Sequence, residues 1–173
     1  MQEFDSRNYG SHVADLLKHP APDGLNHGAP VATLEEALAA LVLPPACQAA
    51  LWLRFDFGGR GHEIVQGLSG PEACYWHAVH HRREPDPDNA KYWFRRAGLH
   101  PIHRELLHSA VGLGNGSVAA NKIAAWQVWD AIGFVDLCTA HAGDGSADEA
   151  FCKVVQQREW VLLFDHCFQH RPG

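Results

Sequence analysis

The chain has 173 residues, of which 46% are hydrophobic and 20% are charged. This length and composition are typical of one globular domain, predicted here to span residues 1–173, and exclude disordered and fibrous classes. The formal net charge of −6 at pH 7 argues against a nucleic-acid partner, because proteins that follow a phosphate backbone need a basic surface.

Membrane and disulfide classes are also disfavoured. No apolar run approaches the roughly 18 residues that spanning a bilayer requires, and the first residues lack the pattern of a secretory signal. We therefore expect a soluble, cytoplasmic protein with no membrane partner. The five cysteines are scattered without a Cys-x-x-Cys pair, whereas thirteen histidines are the compositional oddity that suggests metal or proton chemistry.

Local signals predict helices in the first part of the chain. Residues 33–36, Thr-Leu-Glu-Glu, match a capping box that opens an apolar run. Pro45 suits the first turn of a helix that reaches about Phe57. The glycines of residues 58–61 predict a break or bend before the helical segment 62–68.

Two further helices are predicted around a proline-rich turn. The first begins at Pro71, where the missing amide hydrogen costs nothing, and ends near Glu84 because a proline follows. Asp86 is then the predicted N-cap of the second helix, with proline in its first turn. That helix is expected to end at Gly98, a residue type that favours helix termination.

The remaining elements are also helical. His100-Pro101 starts one helix, residues 112–117 form a hinge, residues 119–140 form one long helix, and the capping box at residues 146–149 opens the last amphipathic segment. No segment shows the alternation of a half-buried strand. The sequence thus predicts an all-α fold, a single-domain irregular helical bundle of about eight helices.

Titratable side chains are concentrated before the turn at Glu84. His77 and His81 are four residues apart and share one helix face. They are predicted to bind a divalent transition metal such as Zn, Ni or Fe. One or two further ligands would come from Asp56, His62 and Glu84. The alternative is that both histidines are partly buried, hydrogen-bonded structural residues.

Basic side chains flank the same turn, and two uses compete for them. In the first, a small anionic molecule is bound by Arg82, Lys91 or Arg95, with Tyr92 and His100 also in the ligand-binding set. In the second, the basic residues pair with nearby acids and clamp two helices together. The second arrangement follows from the close interleaving of opposite charges in this segment.

The run WHAVHHRREPDPDNAKYWFRRAGLHP, residues 76–101, resembles the core of a family of uncharacterised bacterial and fungal proteins. In that family Trp-His, His-Arg-Arg-Glu, Asn-x-Lys-Tyr-Trp-(Phe or Tyr)-Arg-Arg and Gly-x-His-Pro occur in this order. The resemblance covers residues 51–103, with weaker similarity at 134–138 and 157–167. It implies a shared polar centre and brings no activity. The glycines of residues 58–61 depart from the family pattern.

The leading hypothesis is a pocket at residues 77–96 that binds a small anionic ligand, with a metal at His77 and His81. Glu84 would orient His81 or act as a general base, which suits a metal-assisted hydrolase or lyase with Glu84 and His81 as catalytic residues. The rival is a non-enzymatic scaffold module, similar to a Sel1 or tetratricopeptide helix pair, in which the polar run is a salt-bridge clamp. Homo-oligomer formation stays open.

Overall fold

A computed structural model describes residues 5–170 and contains ten α-helices and two short 3-10 helices over that range, with no β-strand. The all-α prediction is therefore confirmed, with ten α-helices instead of about eight. The 3-10 helices are Ser6–Tyr9 and Ala32–Leu34. The α-helices are α1 (Ser11–Leu17), α2 (Glu35–Ala39), α3 (Pro45–Arg54), α4 (Gly58–Gln66), α5 (Pro71–Arg83), α6 (Pro87–Ala97), α7 (His103–Gly112), α8 (Val118–Ala124), α9 (Ala131–His141) and α10 (Ala147–Gln169).

Most helix starts around the polar turn lie where the sequence predicts them. Pro71 is the first residue of α5. The carboxylate of Asp86 accepts a hydrogen bond from the amide of Asn89 at 3.2 Å and caps α6. Ser146 caps α10 in the same way by accepting from the amide of Glu149 at 3.0 Å. Each signal acts within three residues, so local sequence suffices to predict it.

Three predicted boundaries are wrong. Thr33 does not cap a helix, because residues 32–34 form a 3-10 turn and α2 begins without a side-chain cap. Helix α3 ends at Arg54 instead of near Phe57. The predicted long helix 119–140 is two helices, α8 and α9, because the carboxylate of Asp130 accepts from the amide of Gly133 at 2.8 Å and starts a new helix.

The glycine-rich segment 58–61 forms the first turn of α4 instead of breaking the chain. The bend lies just upstream, at Asp56, whose φ of 64° is in the left-handed region. Gly61 is buried against α3, where an added Cβ would lie 2.7 Å from Leu53 Cδ2 and 3.2 Å from the carbonyl oxygen of Ala49. Glycine therefore lets α3 and α4 approach closely.

Replacing Gly61 with alanine is expected to lower the free energy of unfolding by about 1–3 kcal/mol, because the new methyl group overpacks the contact with Leu53. Gly59→Ala in the same helix is the matched control, since an added Cβ there has no atom within 4 Å and alanine favours helix by roughly 0.5–1 kcal/mol. Urea denaturation measures both. Equal effects of the two substitutions would contradict the close approach of α3 and α4.

Helix α5 contributes apolar side chains to one group of buried residues and contacts a second group through Arg82, whose Cζ lies 4.8 Å from the ring centroid of Phe134. One group includes Trp52 and Phe164, and the other includes Phe134 and Phe151. Ten of the thirteen residues of α5 are buried, among them three histidines and two arginines. Buried polar groups need partners, so the surrounding helices must supply them. Within the described residues, no helix has the length and apolarity needed to cross a bilayer.

Candidate metal centre

Three imidazole rings from two helices converge at the junction of α4 and α5. His62, His77 and His81 each offer one ring nitrogen, and these nitrogens lie within 4.8 Å of one another. The Nε2 atoms of His62 and His77 are 2.8 Å apart. The rings of His77 and His81 are stacked, with centroids 4.9 Å apart and an interplanar angle of 20°, as their spacing of four residues on one helix requires.

The His81 ring is fixed on both sides. Its Nδ1 lies 3.2 Å from Oε2 of Glu84, and because a carboxylate only accepts, Nδ1 carries the hydrogen. The side-chain amide nitrogen of Asn89 lies 3.1 Å from Nε2 and 3.4 Å from Nδ1 of the same ring. A histidine whose second nitrogen donates to a carboxylate is oriented and polarised as metal-binding histidines usually are.

The other two rings are also held in place. The side-chain amide of Gln66 lies 2.9 Å from His62 Nδ1. The indole of Trp93 stacks on His77 with centroids 3.9 Å apart and an interplanar angle of 14°. The orientation of the imidazoles therefore depends on neighbouring side chains, and Trp93 excludes water from one face of the group.

Burial favours the neutral imidazole that a metal ion requires. Burial, followed by the neighbouring histidines, lowers the pKa of His77 from 6.5 to about 4. Burial also lowers the pKa of His62. Only one hydrogen fits between the facing Nε2 atoms of His62 and His77, so these two nitrogens share one proton in the metal-free protein.

His80 is a further member of the cluster that sequence reasoning missed. Its ring stacks on His62 with centroids 4.4 Å apart, and its Nε2 lies 3.3 Å from Glu84 Oε2. Its Nδ1 is buried without a hydrogen-bond partner among the described residues. His80, His81 and Glu84 form a second set whose ligand atoms lie within 4.8 Å. The available signal was the spacing of three residues from His77.

Asp56, predicted as a further metal ligand, has a structural role instead. It is buried and accepts a hydrogen bond from Arg83 at 2.6 Å, and it also contacts His27 Nδ1 at 3.2 Å and the amide of Gly28 at 3.1 Å. Burial alone would raise its pKa, but the hydrogen bond from His27 and the charge of Arg83 lower it. Its carboxylate is therefore committed to an internal ion pair.

The residues predicted to bind an anion do not meet around one space. Arg82 is buried against Glu159, and Lys91 pairs with Asp136 at 2.5 Å. Tyr92 and Arg95 are exposed on α6, and His100 lies near Glu72 and His166. The predicted clamp through Glu84, Asp86 and Asp88 is wrong, because the basic residues pair instead with acids of distant segments: Arg82 with Glu159, Arg83 with Asp56 and Lys91 with Asp136. These partners are determined by tertiary packing, so proximity in the sequence could not predict them.

No family model, curated protein or solved structure matches the chain. The resemblance of residues 76–101 to the bacterial and fungal family therefore stays a prediction.

The geometry of the three imidazoles suits a tetrahedral ion. Ligands at about 2.0–2.1 Å from zinc stand about 3.3 Å from one another, a spacing between the 2.8 Å that separates the Nε2 atoms of His62 and His77 and the 4.8 Å within which all three ligand atoms lie. Three histidines leave a fourth position for water or substrate. The side chain of Glu84, at 55% exposure, lies at the edge of the group, so this side is accessible to solvent.

Proposed function

We propose that the protein binds a divalent transition metal, zinc by geometry, through His62, His77 and His81. The observation that supports this is the convergence of three imidazole nitrogens within 4.8 Å, two of them from buried residues, His77 and His81, and one from the half-buried His62. Their rings are already oriented by neighbouring side chains. Orienting three side chains in the metal-free protein removes part of the entropic cost of binding.

We further propose that the bound metal serves a hydrolase acting on a small anionic substrate. A metal ion held by three histidines lowers the pKa of its water to about 7 and attracts an anionic oxygen. Glu84, the partly exposed acid 3.2 Å from His81, would accept the proton of that water as general base. The positive charge comes from the metal in this mechanism, so the paired Arg82 and Lys91 are not required at the site.

The second candidate is a non-enzymatic helical module, and the ion pairs favour it. Arg82–Glu159, Arg83–Asp56 and Lys91–Asp136 each join α5 or α6 to another segment. In that function the histidines are packing residues. The two candidates differ in one expected result: substitution of His77 and His81 lowers the amount of metal that the protein binds only if the first candidate is right.

Zinc titration of chelator-treated protein by calorimetry tests the metal centre. The double variant His77→Ala, His81→Ala is expected to bind one equivalent fewer than the wild type, and His12→Ala, an exposed histidine on α1, is the control. Purified protein with less than about a tenth of an equivalent of transition metal, together with unchanged binding by the double variant, would contradict the proposal.

A second arm of the same experiment separates binding from hydrolysis. Glu84→Gln keeps the shape of the side chain and is expected to retain zinc binding while losing hydrolysis of small phosphate or carboxylate esters. A structural metal would be favoured instead if the His77→Ala, His81→Ala variant loses zinc binding but the wild type has no measurable esterase or phosphatase activity.

A further inference from the structure

We infer that a second divalent metal site lies at the other end of α5, formed by Glu72, His100 and His166. One ligand atom from each residue lies within 4.8 Å of the others. Glu72 is in the first turn of α5, His100 precedes α7, and His166 is near the end of α10. Nine residues separate Glu72 from His81, about 14 Å along a helix, so this site is distinct from the first.

The distances at this site leave a gap between the ligand atoms. Glu72 Oε1 is 3.3 Å from His166 Nε2 and 4.0 Å from His100 Nε2. The rings of His100 and His166 are 4.8 Å apart at an interplanar angle of 72°. The 4.0 Å between Glu72 Oε1 and His100 Nε2 is too long for a hydrogen bond. Ligand atoms that share one metal ion, in contrast, commonly lie more than about 3 Å apart.

His100 provides an independent sign of a missing partner. Its side chain is fully buried, and its Nε2 has no hydrogen-bond partner among the described residues. Leaving a buried polar atom unpaired costs about 1–3 kcal/mol. A ligand bound between His100 Nε2 and the carboxylate of Glu72 would remove that cost. A cation between Nε2 and Glu72 would satisfy both groups. The amide of Ile102 lies 3.4 Å from His100 Nδ1, a weak contact that would open when Nδ1 carries the hydrogen.

The ligand set and its surroundings indicate what such an ion would bind. Two histidines and one carboxylate leave open coordination positions and suit Fe²⁺ or Zn²⁺. Glu72 also lines a cavity of about 230 Å³ together with Pro45, Cys167 and His170. The cavity, which Glu72 borders, has room for a small ligand with an oxygen donor. It is smaller than the roughly 300–1,000 Å³ of sites for drug-sized molecules.

The test counts zinc equivalents in chelator-treated protein by calorimetry. The wild type is expected to bind two equivalents, and Glu72→Gln, His166→Ala to bind one. The exposed His108, substituted by alanine, is the control and should leave two. Circular dichroism shows whether each variant is folded. If the double variant unfolds, Glu72→Gln alone decides, and it should weaken the second binding event by more than about tenfold.

This experiment tests the two proposed metal sites independently. Wild-type stoichiometry in the folded Glu72→Gln, His166→Ala variant would overturn the second site, whatever happens at the first. Wild-type stoichiometry in His77→Ala, His81→Ala would overturn the first site and leave the second standing. A variant that carries all four substitutions is expected to bind no zinc.

Discussion

Replacing Glu159 with glutamine is expected to lower the free energy of unfolding by about 3–5 kcal/mol. Glu159 and Arg82 are each 1% exposed and form an ion pair between α10 and α5. Burial opposes the charge on Arg82, yet the carboxylate of Glu159 raises the pKa of Arg82. A neutral residue at 159 would leave a buried guanidinium without a counter-charge, although Tyr75, which donates to Glu159 at 2.9 Å, could still find an acceptor.

Chemical denaturation of matched variants measures this effect. Asp136→Asn removes the partner of Lys91 from a pair that is 21% and 55% exposed, and it should cost only about 0–1 kcal/mol. Substituting both members, Arg82→Met with Glu159→Gln, should recover part of the stability because no uncompensated charge remains. A loss below about 1 kcal/mol for Glu159→Gln would show that Arg82 reaches solvent or another acid.

The elements that the sequence predicts well are those whose signals act over a few residues. Pro71 and the cap at Asp86 determine where α5 and α6 begin, and each signal lies within three residues of the helix start. The same rule could have separated α8 from α9, because Asp130 is followed three residues later by the Gly133 amide that it binds. The prediction of one helix over residues 119–140 neglects that local signal.

In the polar sites, too, contacts between residues close in sequence are predictable and contacts between distant residues are not. The spacing of His77 and His81 places both on one helix face, so two of the three ligands of the first centre follow from the sequence. His62 joins them only because α4 packs beside α5. The contact of Glu72 with His166 links residues 94 positions apart, and no local pattern contains it. Long-range pairs of this kind are determined by packing, which also explains why Arg82 binds Glu159 and not a neighbouring acid.

Chelator-treated protein is expected to lose stability steeply as the pH falls below about 6.5. Burial, followed by neighbouring histidines, lowers the pKa of His77 to about 4, of His80 to about 3 and of His100 to about 4. In the unfolded chain each would titrate near 6.5. Because the folded state binds protons less readily than the unfolded state, protonation favours unfolding, and stability present above pH 6.5 is lost between 6.5 and these lower values.

Each of the three histidines contributes a slope of on the order of 1 kcal/mol per pH unit in that window. Urea midpoints measured at pH 7, 6 and 5 in the presence of chelator should therefore fall progressively. Between pH 7 and 9 the same histidines are neutral in both states and add no slope, which provides the internal control. His80→Asn removes one buried imidazole and should flatten the acid limb. A midpoint that is constant from pH 7 to 5 would mean that these imidazoles are solvated or already protonated in the fold, and the burial that keeps them neutral for zinc binding would be absent.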